Sequence, residues 1–157
     1  MKRALLGLVG IFMAVMLGAC AASIDRVDGQ AFKSAAEDAG FTVQDSTADF
    51  QEQVGDDAKV EQGYQVEGDD GSLVQFVDFE DADDAKILYE GWKQNIGISE
   101  DDAKSYSEQN VGDSDIYSVS DGAAIYRIIR TDDTVTLGAA LVDSAGMMNK
   151  TMDALGK

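Results

Sequence analysis

The sequence predicts an α+β domain, an antiparallel sheet with helices on one face in the order α-βββ-α-βββ-α. Three observations predict it. Strand-like alternation recurs in six segments, several of them joined by short turns rich in Asp and Gly. Helical apolar stripes recur at the start, middle and end of the folded part. No linker of Gly, Ser or Pro divides it, and the chain has no Pro at all.

Asp28 is placed to cap a first helix over 29–39, in which Phe32, Ala35, Ala36 and Ala39 make an i, i+3, i+4, i+7 stripe and Gly40 is the stop. FTVQDS (41–46) reads as a short strand. Ser46 and Asp49 then have capping-box spacing for a short helix near 48–54. Val60, Tyr64 and Val66 alternate with Glu61, Gln65 and Glu67 as a half-buried strand. Asp70-Gly71 turns it into the return strand LVQFVDF (73–79), which reads as central. The segment 81–97 gives the strongest helix, with Ala85, Leu88, Tyr89, Trp92 and Ile96 on one face and Lys86–Glu90 as an i,i+4 pair on another.

A polar stretch follows, and then a second group of strands. IYSVS (116–120) turns at Asp121-Gly122 into AAIYRIIR (123–130), and Asp132-Asp133 turns that into TVTLGAALV (134–142). In the last strand Val135, Leu137, Ala139 and Leu141 alternate with Thr134, Thr136, Gly138 and Ala140. Asp143 is placed to cap a final helix with Met148, Met152 and Leu155 on one face. The order also admits a duplicated βββα unit, although the halves share little sequence.

The first twenty residues carry the clearest functional signal. Lys2 and Arg3 precede an uncharged apolar core, Ala4 to Leu17, shorter than the roughly 20 residues a spanning helix needs. Leu17-Gly18-Ala19-Cys20 closes it, completing the layout of an export signal. The LGAC ending resembles the lipobox of bacterial lipoproteins, over residues 1–20 alone. That resemblance implies a diacylglycerol joined to the Cys20 thiol and cleavage by a dedicated signal peptidase just before it. The competing reading is a secretory peptide or uncleaved anchor helix with an incidental cysteine.

On the lipoprotein reading, 1–19 is signal peptide, 20–28 is the lipidated Cys20 with a short tether, and 29–157 is a single domain. The protein is then held by lipid on the extracytoplasmic face of a cell membrane, with Ala21 and Ala22 leaving the envelope type open. Beyond the lipobox, a first helix ending in AGFTV and an acidic α+β domain loosely resemble small uncharacterised lipoproteins of Gram-positive bacteria. That second resemblance implies no active site.

Composition narrows the chemistry. The whole chain carries a formal charge of −18; without Lys2 and Arg3, ten Lys and Arg stand against thirty Asp and Glu, a charge of −20. Such a surface repels nucleic acid and anionic headgroups. With no His, imidazole catalysis and His-ligated metals are excluded. With Cys20 the one cysteine, no intramolecular disulfide forms. Nucleophile-elbow, P-loop and dinucleotide motifs are absent, so neither catalytic residues nor a cofactor are assigned.

The tetrapeptide DDAK occurs three times, at 56–59, 83–86 and 101–104. The spacings are unequal, so it marks no repeat period. The first copy leads into a strand. The second and third, after Asp81 and Ser99, fall in first turns of helical segments, where carboxylates meet free N–H groups and the helix dipole. None has the D-x-D-x-D-G pattern of a calcium loop.

Arg127 and Arg130, three apart in a strand, point to opposite faces and read as partners of nearby carboxylates. Tyr89 and Trp92 read as core, as do Met147, Met148 and Met152. The expected function is thus a non-enzymatic interaction module that meets another envelope component, a protein. The alternative is a binding module for a cation of calcium type or a small cationic ligand. A hydrolase using a carboxylate pair stands third.

Overall fold

Asp28 opens α1 (Gly29–Asp38) as expected, its carboxylate accepting the Ala31 N–H at 2.8 Å. The computed structural model describes residues 24–155. Gly40 ends α1 at φ +89°, and β1 (Val43–Asp45) leads into α2 (Thr47–Val54). The expected Ser46 side-chain cap does not form. Asp45 takes its place, accepting from both the Thr47 N–H and hydroxyl at 3.0 and 2.7 Å, while Ser46 is buried.

The hairpin β2 (Val60–Glu67) and β3 (Leu73–Phe79) follows, with Gly71 at φ +79° in its turn. Asp81 then caps α3 (Ala82–Ile96), which Gly97 ends in the left-handed conformation. Next come β4 (Ser105–Val111), β5 (Ser114–Ser120), β6 (Ala124–Thr131) and β7 (Thr134–Leu141). A 3₁₀ turn at Val142–Ser144 leads into α4 (Gly146–Leu155). Asp143 lies inside that turn rather than capping the helix.

All seven strands join one antiparallel sheet in the order β1-β2-β3-β7-β6-β5-β4. The α+β class and the element order are as the sequence predicts. After β3, α3 crosses the back of the sheet to the far edge, and β4 to β7 wind back until β7 pairs with β3. The strand β4 went unread because SYSEQNV is polar and exposed on this edge.

The helices do not share one face. Phe32 and Ala36 of α1 and Met147, Met148 and Met152 of α4 pack on Tyr64, Val66, Val74, Phe76, Ile129 and Ala140. On the opposite face, Phe50 of α2 and Ala85, Leu88, Tyr89 and Trp92 of α3 pack on Val60, Val77, Phe79, Tyr117, Val119, Ile128 and Val135. Two hydrophobic layers therefore flank the sheet, and its central strands are buried on both sides. In β7 the small residues Gly138 and Ala140 are buried, not solvent-facing, because they let α4 approach. A Cβ on Gly138 would stand 2.7 Å from Met148 Cγ.

This packing also argues against the duplicated unit. A repeat would relate antiparallel β3 and β7 by a two-fold axis normal to the sheet, keeping the following helices on one face. Instead α3 and α4 lie on opposite faces. A bulge has a similar consequence in β2. Between Val60 and Gln62 the register shifts, so Val60 packs with the α3 layer while Tyr64 and Val66 pack with the α1 layer.

The stretch 24–28, expected as part of the tether, is docked. Ile24 and Val27 pack on the α1 layer. Arg26 pairs with Asp78 at 2.9 Å and with Asp133. Among the described residues no helix is long and apolar enough to cross a membrane.

Candidate functional site

The α3 face carries a cleft of about 470 Å³ between α2 and α3. Its floor and one wall come from α3, where Asp84, Ile87, Leu88, Gly91, Trp92 and Asn95 repeat at helical spacing along one side. The facing wall is Gln53 and Val54 at the end of α2, with Asp57 and Ala58 in the turn before β2. Two DDAK copies thus meet across one cleft. Each contributes its second aspartate, Asp57 exposed and Asp84 half-buried, while Asp56 and Asp83 do not line the cleft.

Local chemistry sets both walls. On α3 the Asp81 carboxylate accepts the Asp83 N–H at 2.8 Å, placing Asp84 in the first turn beside the helix's free amides. Gly91 opens the middle of the cleft, since a Cβ there would meet no atom within 4 Å. On the other wall Gln51 fixes the 55–60 turn. Its amide nitrogen donates to the carbonyls of Gly55 and Ala58 at 2.7 and 2.9 Å, and its oxygen accepts the Val60 N–H at 3.0 Å. Gly63 lets α2 lie on the sheet, with a built Cβ only 2.5 Å from Phe50 Cδ2.

The lining is apolar below and polar at the rim. Leu88 and Trp92 are buried, whereas Ile87 is 71% exposed. No Lys or Arg lines the cleft. Among the described residues, neither the Asp57 nor the Asp84 carboxylate has an ion-pair or hydrogen-bond partner. Lys59 of the first copy is engaged by Glu80, and Lys86 of the second lies off the cleft.

The third DDAK copy builds something else. The Ser99 hydroxyl donates to Asp102 at 2.6 Å and accepts the Asp102 N–H at 3.3 Å, the latter being one half of a capping box. Yet no helix grows from it. The chain makes one turn and enters β4 at Ser105.

Beyond the cleft, a charged layer lies under the C-terminal half of α3. Lys93 pairs with Glu108 of β4 and with Glu90 at 3.6 Å, replacing the expected Lys86–Glu90 pair. Its ammonium lies 5.3 and 5.4 Å from the ring centres of Tyr89 and Tyr117. Burial pulls the Lys93 ammonium down, but the hydrogen bond and charge of Glu108, with Glu90, outweigh it and hold it above its ordinary value. Hydrogen bonds from Lys93 and Tyr106 hold the Glu108 carboxyl below the usual range, and Tyr106 itself is pushed up to about 12 by its bond to Glu108. Burial pushes the Tyr89 phenol far up, and its hydroxyl has no hydrogen-bond partner among the described residues.

Each arginine of β6 has a carboxylate, on opposite faces as expected. Arg130 Nε donates to Asp115 at 2.7 Å, and Arg127 reaches Asp153 at 3.9 Å. Tyr89 and the three methionines are core; Trp92 is core whose edge also lines the cleft. On the α1 face Asp78 is buried between Arg26 and the Gly29 N–H, and burial, opposed by Arg26, pushes its carboxyl up. Cys20 lies outside the described residues.

Sequence reasoning treated the DDAK copies as separate local features and missed their meeting at the cleft. The exposed Ile87 and the mid-helix Gly91, both on the side of α3 that carries Asp84, were the available signal. Among the described residues, no group of three or more His, Cys, Asp or Glu is placed to hold a metal ion. No protein-family model, curated protein or solved structure matches the chain.

Proposed function

We propose that this chain is a lipid-anchored extracytoplasmic binding module, non-enzymatic, that captures a ligand in the α2–α3 cleft close to the membrane. The cleft carries the proposal. Its volume of about 470 Å³ falls in the range of small-molecule sites, and its mix of apolar floor and few polar rim groups suits binding. The charged groups elsewhere favour binding over hydrolysis. Glu108 and Asp115, whose charges act on the buried phenol of Tyr89, are each engaged by a cation, Lys93 and Arg130. Such pairing holds structure and takes those two acids out of acid–base work, while the unpartnered Asp57 and Asp84 at the cleft serve ligand binding in this reading.

The anchor reading rests on LGAC at 17–20 and gains support from Arg26. With Ile24 packed on the α1 layer and Arg26 held by Asp78 and Asp133, only Ala21 to Ser23 separate Cys20 from the docked chain. At full extension that stretch spans about 14 Å from Cys20 to Ile24. The lipid therefore holds the domain close, with the Arg26 end of the sheet toward the bilayer. The β6–β7 turn at that end carries Asp132 and Asp133, which keeps the surface off anionic headgroups.

A protein contact on an apolar patch is the second reading. Among the described residues, the large exposed apolar side chains other than Ile87 are Tyr106 on the edge strand β4 and Leu141 and Val142 at the end of β7, none of which lines the cleft. The cleft is the better-built surface.

Membrane fractionation of cells producing the full chain and its Cys20→Ala variant tests the anchor. The parent is expected in the membrane fraction, labelled by a fatty-acid analogue, and the variant released and unlabelled. A variant that stays tightly bound to membranes overturns lipid anchoring through Cys20.

A further inference from the structure

We propose that the α2–α3 cleft binds a small organic ammonium ion with an apolar body. The inference rests on the cleft as the binding site and names its ligand class. Two independent features point to this chemistry. The first is charge: Asp57 on one wall and Asp84 on the other lack cationic partners among the described residues, and no Lys or Arg lines the space between them. Under the C-terminal half of α3, by contrast, cations already meet two carboxylates, Lys93 meeting Glu108 and Arg130 meeting Asp115. The cleft has the anions and leaves the cation to the ligand.

The second feature is the surface between the carboxylates. Val54, Ala58, Ile87, Leu88 and Trp92 offer apolar area, and Gly91 keeps the centre open. A bare metal ion would gain nothing from that floor and would lack the six to eight oxygens that calcium requires. An inorganic cation therefore fits poorly. An ammonium attached to an aromatic or aliphatic body buries its body on the floor and holds its charge between the rim carboxylates. A fixed wall lowers the ordering cost of binding, and the Gln51 bonds supply one. The domain's excess of acids adds a long-range field that concentrates cations near it. The volume suits a compact molecule, not an extended peptide.

Residues 24–155 hold all the described strands and helices and both core layers, so the chain from residue 20 onward with Cys20→Ser carries the described fold. Trp92 is the one tryptophan in the sequence and lines the cleft, so its fluorescence reads the site directly. The titrants are benzyltrimethylammonium, benzyl alcohol as the neutral body and benzenesulfonate as the anionic one, at matched ionic strength.

The expected result is a saturable Trp92 response to the ammonium, weakened by salt, with a weaker response to the alcohol and none to the sulfonate. Asp57→Asn and Asp84→Asn are each expected to weaken binding about two- to fivefold, as for ion pairs open to solvent. Gly91→Leu fills the open centre without meeting a neighbour at its Cβ, and is expected to abolish the response while the unfolding midpoint holds. An equal response to alcohol and ammonium, still blocked by Gly91→Leu, overturns the ligand class and leaves the cleft as the site. A response that persists in Gly91→Leu overturns the cleft itself. No saturable response to any titrant overturns both. None of these outcomes bears on the lipid at Cys20, which fractionation reads separately.

Discussion

Gly63→Ala is expected to destabilise the domain and to open the cleft, because one methyl group must fit between α2 and the sheet. A Cβ built on Gly63 stands 2.5 Å from Phe50 Cδ2, 3.1 Å from Thr47 Cα and 3.3 Å from Thr47 N. Carbon atoms prefer about 3.5–4.0 Å, so the Phe50 ring must retreat by about 1 Å. That ring is buried in the α3 layer, and the Thr47 atoms are backbone. Helix α2 therefore has to lift as a unit.

Lifting it strains the stitching at its start. Ser46 N–H donates to the Gly63 carbonyl at 2.9 Å, and Gly63 N–H donates to Thr47 Oγ1 at 3.0 Å. Overpacking of this kind costs about 1–3 kcal/mol, and each weakened hydrogen bond adds up to about 1 kcal/mol. A total of about 2–3 kcal/mol lowers the unfolding midpoint by roughly 8–12 °C for a domain of this size. Thermal and urea unfolding, followed by far-UV circular dichroism and Trp92 fluorescence, measure it. Phe50→Leu in the same chain should recover part of the loss through direct coupling, despite the cavity it leaves. A midpoint within about 2 °C of the parent would refute the close packing of α2 on Gly63.

Gly91→Ala should move stability the other way, by about 0.5–1 kcal/mol, because Gly91 is mid-helix with nothing within 4 Å of its missing Cβ; a lowered midpoint would contradict that. Arg26→Ala leaves the buried Asp78 carboxylate without its cation and should cost about 1–3 kcal/mol near neutral pH. Because Asp78 is raised in the fold, its proton stays on longer there than in the unfolded chain. The cost should therefore shrink as pH falls through the folded Asp78 value, in urea unfolding from about pH 7 to about pH 4. Glu108 has the opposite sign. It is lowered by Lys93 and then Tyr106, so its contribution is present above its unfolded value and lost as pH falls through the folded one. Glu108→Gln should lower the midpoint at neutral pH by the equivalent of about 1 kcal/mol and converge with the parent in acid.

The helices and most strands were legible because their signals are local. Asp28 and Asp81 cap their helices through amides two or three residues away, and Gly40, Gly71 and Gly97 take the positive φ that their positions suggest. The Cys20 signal is local too, a matter of residue order in the first twenty positions. The strand β4 was harder. Its Tyr106 and Glu108 are adapted to an exposed edge, so the strand has no buried alternation to read, and only the Gly112-Asp113 turn before Ser114 announced it.

What the sequence by itself determined is the α+β class, the order of its elements, the caps at Asp28 and Asp81 and the acidic surface; these depend on spacing along the chain. What only the tertiary structure decided is which face each helix covers and which loops meet. The second face was hidden because Gly138 and Ala140, which carry no apolar stripe of their own, are small enough to admit Met148 and its neighbours. The cleft was hidden for a related reason. Asp57 and Asp84 are twenty-seven positions apart, joined by a hairpin and a crossing helix. They share a rim only because Gly63 lets α2 settle on the sheet beside α3, a distance set by packing and not by spacing in the sequence.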